Sequence, residues 1–230
     1  IALYDHVCYE CSVQTTKAYS TSFSLGIRFL GKPLRKPVYA IYGFVRFADE
    51  IVDSFHDHDK KDLFERFKAD TYAAIDEGIS LNPILHAFQR VFHQYQIDRE
   101  HVDLFLRSME WDLKRNDYDR QGFEDYVVGS AEVVGLMCLR VFVDGDDTRY
   151  QALLPSARRL GAAFQKINFL RDLKDDFEEK GRTYFPGIDM TQFTETTKKS
   201  IESEIESDFK AAHIGILQLP RSSRLGVHVA

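Results

Sequence analysis

The amino-acid sequence predicts an all-α protein, and three observations carry that reading. Only 6 prolines and 13 glycines interrupt 230 residues. The apolar residues recur mostly three and four positions apart, the spacing that lines one face of an α-helix. Turn formers cluster at four places, residues 31–33, 78–83, 145–147 and 181–187, and so divide the pattern into segments.

The elements follow from those breaks in order. A helix over residues 3–19 precedes the first break and one over 37–54 follows it. Residues 60–77 form the next and end at the second break. Helices over 82–95, 99–116 and 123–143 lie between the second and third breaks. A long helix over 156–180 runs to the fourth, and a final pair covers 191–219 and 222 onward. No low-complexity segment, internal repeat or flexible linker appears, so residues 1–230 read as one domain. The chain begins at Ile1 and stops at Ala230 inside an apolar pattern, which reads as a fragment lacking C-terminal structure.

Composition excludes several classes. With 44% hydrophobic and 13% aromatic residues, the chain is long enough to bury a substantial core. A formal net charge of −6 argues against nucleic-acid binding, which needs clustered Lys and Arg. An acidic protein that handles phosphates needs a bridging divalent cation instead. Three cysteines cannot build a disulfide framework and point to a reducing, cytoplasmic setting; Cys8 and Cys11 form a lone CxxC and read as packing residues. No apolar stretch is long enough to span a bilayer, and no signal-peptide pattern is present. Trp111 reads as a packing anchor rather than a membrane contact.

Two acidic stripes are the chemical signal. Tyr42, Arg46, Asp49 and Asp53 are spaced 4, 3 and 4 apart, within about 60° of one another on a helix. Most of the remaining circumference there is apolar, so the helix reads as buried nearly all round. Buried carboxylates need a cation or a polar cleft, and Arg46 alone does not satisfy two. Gln165, Asn168, Asp172 and Asp176 form a second stripe with spacings of 3, 4 and 4, spread over about 80°. For this one an ordinary solvated face is the stronger alternative, because Lys166, Arg171, Lys174 and Asp175 give its helix a broadly charged surface. Asp57 sits four residues beyond Asp53, in the polar run His56, Asp57, His58, Asp59, read as solvated. Two facing carboxylate pairs would suit hard cations with positions open for diphosphate oxygens, with Arg46 and Arg171 adding charge-assisted hydrogen bonds.

The segment YAIYGFVRFADEIVD around Asp49, together with NFLRDLKDDF around Asp172, resembles the squalene and phytoene synthase family. The likeness extends to Ser20, Thr21, Ser22 and Phe23, to YVVGSAEVVG from Tyr126, and to GRTYFP from Gly181, so it spans most of the chain. The resemblance implies a helical bundle of the class I isoprenoid synthase type with a central cleft. It also implies head-to-head condensation of two prenyl diphosphates through a cyclopropylcarbinyl diphosphate. Mg²⁺ is the implied cofactor, with Mn²⁺ as a substitute, and Asp49, Asp53, Asp172 and Asp176 match the metal motifs. Ser20, Ser22, Phe23, Tyr42, Arg46, Gln165, Asn168 and Arg171 match the substrate side, although Thr21 stands where some members carry Lys. Tyr126, with Arg46, Asp49 and Asp172, matches the catalytic positions.

Ser130, Ala131 and Gly135 would either leave room for a prenyl tail or let helices approach closely. DEIVD and GRTYFP look more like the phytoene synthases of the family, which implies two geranylgeranyl diphosphates as substrate in carotenoid biosynthesis. Farnesyl diphosphate is the alternative, and a non-catalytic assembly protein on the same fold is the alternative from another class. A di-iron carboxylate bundle would carry Glu-x-x-His motifs, and the sequence has none. The implied partner is the prenyl diphosphate itself, with the enzyme peripheral to a membrane and no obligate protein partner.

Overall fold

The computed structural model of the chain describes residues 2–114, 119–180 and 194–230, the side chains of 173–180 excepted. Among the described residues there are eleven α-helices and no strand, as the helical period predicts: α1 (Ala2–Tyr19), α2 (Thr21–Arg28), α3 (Lys32–Asp53), α4 (Lys60–Glu77), α5 (Pro83–Gln94), α6 (Arg99–Asp112), α7 (Arg120–Val127), α8 (Val133–Phe142), α9 (Asp147–Lys180), α10 (Glu195–Gln218) and α11 (Arg221–Val229). A π turn over Val128–Glu132 joins α7 to α8. The described chain forms two compact units, one of Ile1–Arg99, Met137–Leu153 and Ile216–Ala230, the other of Glu100–Leu136 and Leu154–Gly215.

In the first unit α3 packs on α1 and α5. Phe44, fully buried, stacks on Phe88 with centroids 4.0 Å apart, and Gly43 lets α1 come close, since a Cβ there would sit 3.3 Å from Ser12. The helix ends obey local rules. Asp59 accepts from the Asp62 N–H at 3.1 Å at the start of α4, and Asn82 accepts from the Ile84 N–H at 3.0 Å with Pro83 in the first turn of α5. Gly78 closes α4 in the left-handed region at φ 71°. Buried His86 bonds Asp5 at 2.7 Å and so ties α5 to α1.

In the second unit Phe123, Tyr126, Val127, Ala162, Phe169, Ile201 and Ile205 form one core cluster, with Trp111 packed against it. The carboxylate of Asp208, on α10 and almost fully buried, accepts from Lys166 at 2.8 Å and from Arg159 at 2.9 Å, both on α9; Lys166 also donates to Glu204. Lys166 is itself 8% exposed, so it does not belong to the charged surface that the sequence suggests for this helix. Its charge survives burial because it has anionic partners: burial pushes its pKa down, but the hydrogen bonds to Asp208 and Glu204 raise it on balance.

Several element boundaries differ from the sequence reading; α6, expected to reach 116, ends at Asp112, and α7 starts at Arg120 rather than 123. α2 was not legible as a helix because Gly26 lowers its propensity, yet the Ser20 hydroxyl caps it by accepting from the Phe23 N–H at 3.2 Å. α3 starts at Lys32, with Pro33 in its first turn and Pro37 inside it, where buried Leu34 and Val38 hold the helix. α9 starts at Asp147 and passes through Pro155, with buried Tyr150 and Leu153 ahead of the proline. The helix expected over 123–143 is interrupted by the π turn.

The π turn is held by glycines. A Cβ at Gly129 would lie 2.6 Å from the Leu104 carbonyl oxygen and 2.8 Å from Ser108 Cβ, and one at Gly161 would lie 2.8 Å from the Ala131 carbonyl oxygen. A Cβ at Gly135 would stand 3.3 Å from the Ala157 carbonyl oxygen. Close helix approach therefore accounts for the small residues at 129 and 135. Replacing Gly129 by Ala forces backbone apart and is expected to destabilise the chain by about 1–3 kcal/mol, read as a lower urea midpoint with an unchanged slope.

Candidate active site

α3 delivers the first acidic stripe to an accessible edge of the first unit. Asp49 and Glu50 are partly exposed and Asp53 is exposed, while the neighbouring Ala48, Ile51 and Val52 turn into the core. The expectation that this helix is buried all round is corrected on that side. Three carboxylates thus gather at the C-terminal end of a 22-residue helix whose last turn has no basic residue. The helix dipole is negative there, so the arrangement raises local negative potential and favours a bound cation.

Arg46 is the one cation on the stripe. Its guanidinium donates to Glu50 at 2.5 Å, lies 4.0 Å from the Asp49 carboxylate, and stacks 4.4 Å above the Tyr19 ring. Burial pushes the Glu50 carboxyl up, but the hydrogen bonds from Arg46 and Ser54 outweigh it and hold the group below its usual range. The Arg46 Nε–H is buried and has no hydrogen-bond partner among the described residues.

Tyr42 stands one turn back on the same face. Its ring lies 5.6 Å from that of Phe23, and burial pushes its hydroxyl pKa up against a hydrogen bond with Ser20 and the charge of Arg46. The structure therefore brings together Ser20, Phe23, Tyr42, Arg46 and Asp49. Ser22 is exposed on α2, and Asp53 continues the α3 stripe one turn beyond Asp49. Sequence reasoning missed Tyr19 and Glu50. Glu50 was visible four residues after Arg46, the spacing of a helical ion pair, whereas Tyr19 reaches Arg46 only through the turn between α1 and α2.

The second stripe lies on α9 in the other unit. Gln165 is partly buried and Asn168 is exposed. Arg171 clamps its neighbour Asp172 with two hydrogen bonds, 2.6 Å from Nε and 2.7 Å from the second nitrogen. That clamp is the main reason the Arg171 pKa is raised. Asp176 lies outside the residues whose side chains are described, and GRTYFP lies outside the described residues altogether.

Tyr126 is buried in the core cluster of the same unit, with its ring 5.9 Å from that of Phe169. Its hydroxyl donates to the Asp112 carboxylate at 2.6 Å, a partner the sequence reading did not name. A carboxylate can only accept, so the phenol proton points at Asp112 and the oxygen lone pairs are turned elsewhere.

The chemistry of the donors suits a hard cation. Mg²⁺ takes oxygen ligands, commonly one or two carboxylates completed by water and substrate phosphate, and Asp49 with Asp53 offers that number one turn apart. Among the described residues no group of three or more His, Cys, Asp or Glu is assembled closely enough to hold a metal without such additions.

The sequence matches the family described as squalene/phytoene synthase over residues 16–224. The chain belongs to the squalene/phytoene synthase family. Curated relatives include the bifunctional lycopene cyclase/phytoene synthase of Blakeslea trispora, 29% identical over 73% of this chain and 31% of that protein. The 4,4'-diapophytoene synthase of Staphylococcus haemolyticus is 28% identical over 87% and 68%, and the presqualene diphosphate synthase of Rhodopseudomonas palustris is 27% identical over 79% and 63%. The chain thus spans between about a third and about two thirds of the length of these relatives. The fold is that of the solved synthases. Squalene synthase HpnC from Alicyclobacillus acidocaldarius superposes with a TM-score of 0.84 at 20% identity over 99% of this chain and 90% of its own. A dehydrosqualene synthase in complex with a ligand gives 0.83 at 21% identity over 95% and 80%.

Proposed function

We propose that this family member joins two prenyl diphosphates head to head, with two geranylgeranyl diphosphates giving phytoene as the favoured reaction. The observation that carries the reading is the Arg46 site, where a partly buried guanidinium, its Nε–H without a partner among the described residues, stands beside Asp49 and Tyr42 on α3. Asp49 with Asp53 in the first unit, and Asp172 with Asp176 in the second, would each hold Mg²⁺, which when bound neutralises the diphosphate as it departs. Arg46 donates to diphosphate oxygens, while its bond to Glu50 and its stack on Tyr19 fix its orientation. Tyr42 and Ser20 hydrogen-bond to the same end, and Phe23 covers it. The clamp on Asp172 uses two of the five guanidinium N–H groups of Arg171, so it need not break for Arg171 to donate to a phosphate oxygen. Tyr126, whose hydroxyl donates to Asp112, would assist proton movement through that pair.

A second reading keeps the chemistry and shortens the substrate to farnesyl diphosphate. It is favoured by the 4,4'-diapophytoene synthase relative, which matches 87% of the chain. Product analysis separates the two. With Mg²⁺ and each all-trans prenyl diphosphate, with and without NADPH, a C40 hydrocarbon from the C20 substrate alone supports the favoured reading. A C30 product moves the assignment to the shorter substrate, and no Mg²⁺-dependent diphosphate release from either overturns both.

A further inference from the structure

Within the second unit the π turn sets a contact that an unbroken α-helix would place elsewhere. Its defining bond runs from the Val133 N–H to the Val128 carbonyl, five residues back, which widens one turn and shifts the phase of α7 relative to α8. Two close approaches grip that turn. A Cβ on Gly129 would meet the Ser108 Cβ of α6 at 2.8 Å, and one on Gly161 of α9 would meet the Glu132 Cα at 2.9 Å. The Ser130 hydroxyl donates to the Tyr126 carbonyl at 2.7 Å and ties the turn to the end of α7.

The result is a ladder between α6 and the facing segment. Leu104, Ser108 and Asp112 follow one another a turn apart on α6, and Tyr126 stands one turn before Gly129. With Gly129 pressed on Leu104 and Ser108, the step forward to Asp112 on α6 matches the step back to Tyr126, and the Tyr126 hydroxyl donates to the Asp112 carboxylate at 2.6 Å. The ring is fixed by the core cluster, 5.9 Å from that of Phe169. A carboxylate accepts only, so it holds the phenol as a donor and leaves the oxygen nothing but lone pairs for any other partner. The bond is charge-assisted and therefore directional.

We propose that Asp112 is a positioning residue for the reaction and acts through Tyr126: the gripped π turn seats the phenol against the carboxylate, and the carboxylate keeps the phenol oxygen an acceptor toward the reacting prenyl chain. An oxygen that presents lone pairs and no hydrogen suits a place where a departing diphosphate leaves positive charge on carbon. The inference rests on the proposed function for the presence of that charge. It adds that Asp112 and Tyr126 work as one unit, which a hydrogen bond that merely fastens α7 to α6 would not do.

A double-mutant cycle on Mg²⁺-dependent diphosphate release tests it, with Asp112→Asn, Tyr126→Phe and the two combined. Asn has the shape of Asp, but its amide N–H can donate to the phenol oxygen, so the direction of the bond is no longer enforced. Asp112→Asn is expected to lower kcat about 10²-fold with KM little changed, and to add nothing further once residue 126 is Phe. Asp112→Glu, which keeps a carboxylate, is expected to retain more activity than Asp112→Asn. Tyrosine Raman difference spectra of wild type against Tyr126→Phe give a readout free of turnover and of any Asp112 variant, in which Tyr126 is expected to show as a strong hydrogen-bond donor. Wild-type kcat in Asp112→Asn, losses that multiply in the double variant, the reverse order of Glu and Asn, or a Tyr126 that does not show as a donor overturns the proposal and leaves the function standing. Wild type that releases no diphosphate from either prenyl substrate overturns the function, and this inference with it.

Discussion

Replacing Asp49 by Asn is expected to lower turnover by about 10³-fold or more while leaving helix content unchanged. The size follows from the charge. A carboxylate that holds a divalent cation against a departing diphosphate contributes several kcal/mol to the transition state, and an amide of the same shape retains an oxygen but not the anion. The fold is spared for a reason visible in the structure. Asp49 is partly exposed, and Arg46 keeps its 2.5 Å bond to Glu50 when Asp49 loses its charge. Steady-state diphosphate release over a Mg²⁺ titration, with circular dichroism as the control, makes the check. Retained activity at saturating Mg²⁺ would count against the metal assignment, and Asp172→Asn is the matching variant on α9.

The second large effect is on stability. Asp208→Ala is expected to destabilise the chain by about 3 kcal/mol, because it leaves the buried ammonium of Lys166 with Glu204 alone. Arg159 loses the same partner at little cost, since 62% of its side chain is exposed and water replaces the contact. For a chain of this size the loss corresponds to a fall of roughly 6–12 °C in Tm. The double variant Lys166→Met with Asp208→Leu removes both charges and refills the volume, and is expected to recover most of it. A double variant as unstable as Asp208→Ala would show that shape, not charge pairing, sets the cost.

These two aspartates mark how legible the sequence was. Asp49 stood out because an acidic residue on an apolar helix is costly, and the spacing of Tyr42, Arg46, Asp49 and Asp53 put the relevant groups on one face without knowledge of any neighbour. The structure then placed Ser20 and Phe23 beside Tyr42. Asp208 gave no such signal. It sits in the run Glu204, Ile205, Glu206, Ser207, Asp208, where acidic residues read as solvent-facing, and only the packing of α10 on α9 brings it to Lys166. Lys166 was misread for the same reason, as one more charge on a polar helix.

The sequence by itself determined the helical class, most helix limits that rest on local caps such as Asp59, Gly78 and Asn82, and the residues of the first stripe. All of these depend on the period of the helix or on contacts within a few residues. The tertiary structure alone decided what depends on a second segment. It paired Tyr126 with Asp112 across residues 115–118 and held the π turn between Gly129 and Gly161. It carried α9 through Pro155 on the strength of Tyr150 and Leu153, and it set α2 against α11 through Gly26 and Gly226. A single sequence carries the short-range period directly, but it carries a contact between distant segments only as two separate residues, each ordinary until the chain folds and brings them within a few ångströms.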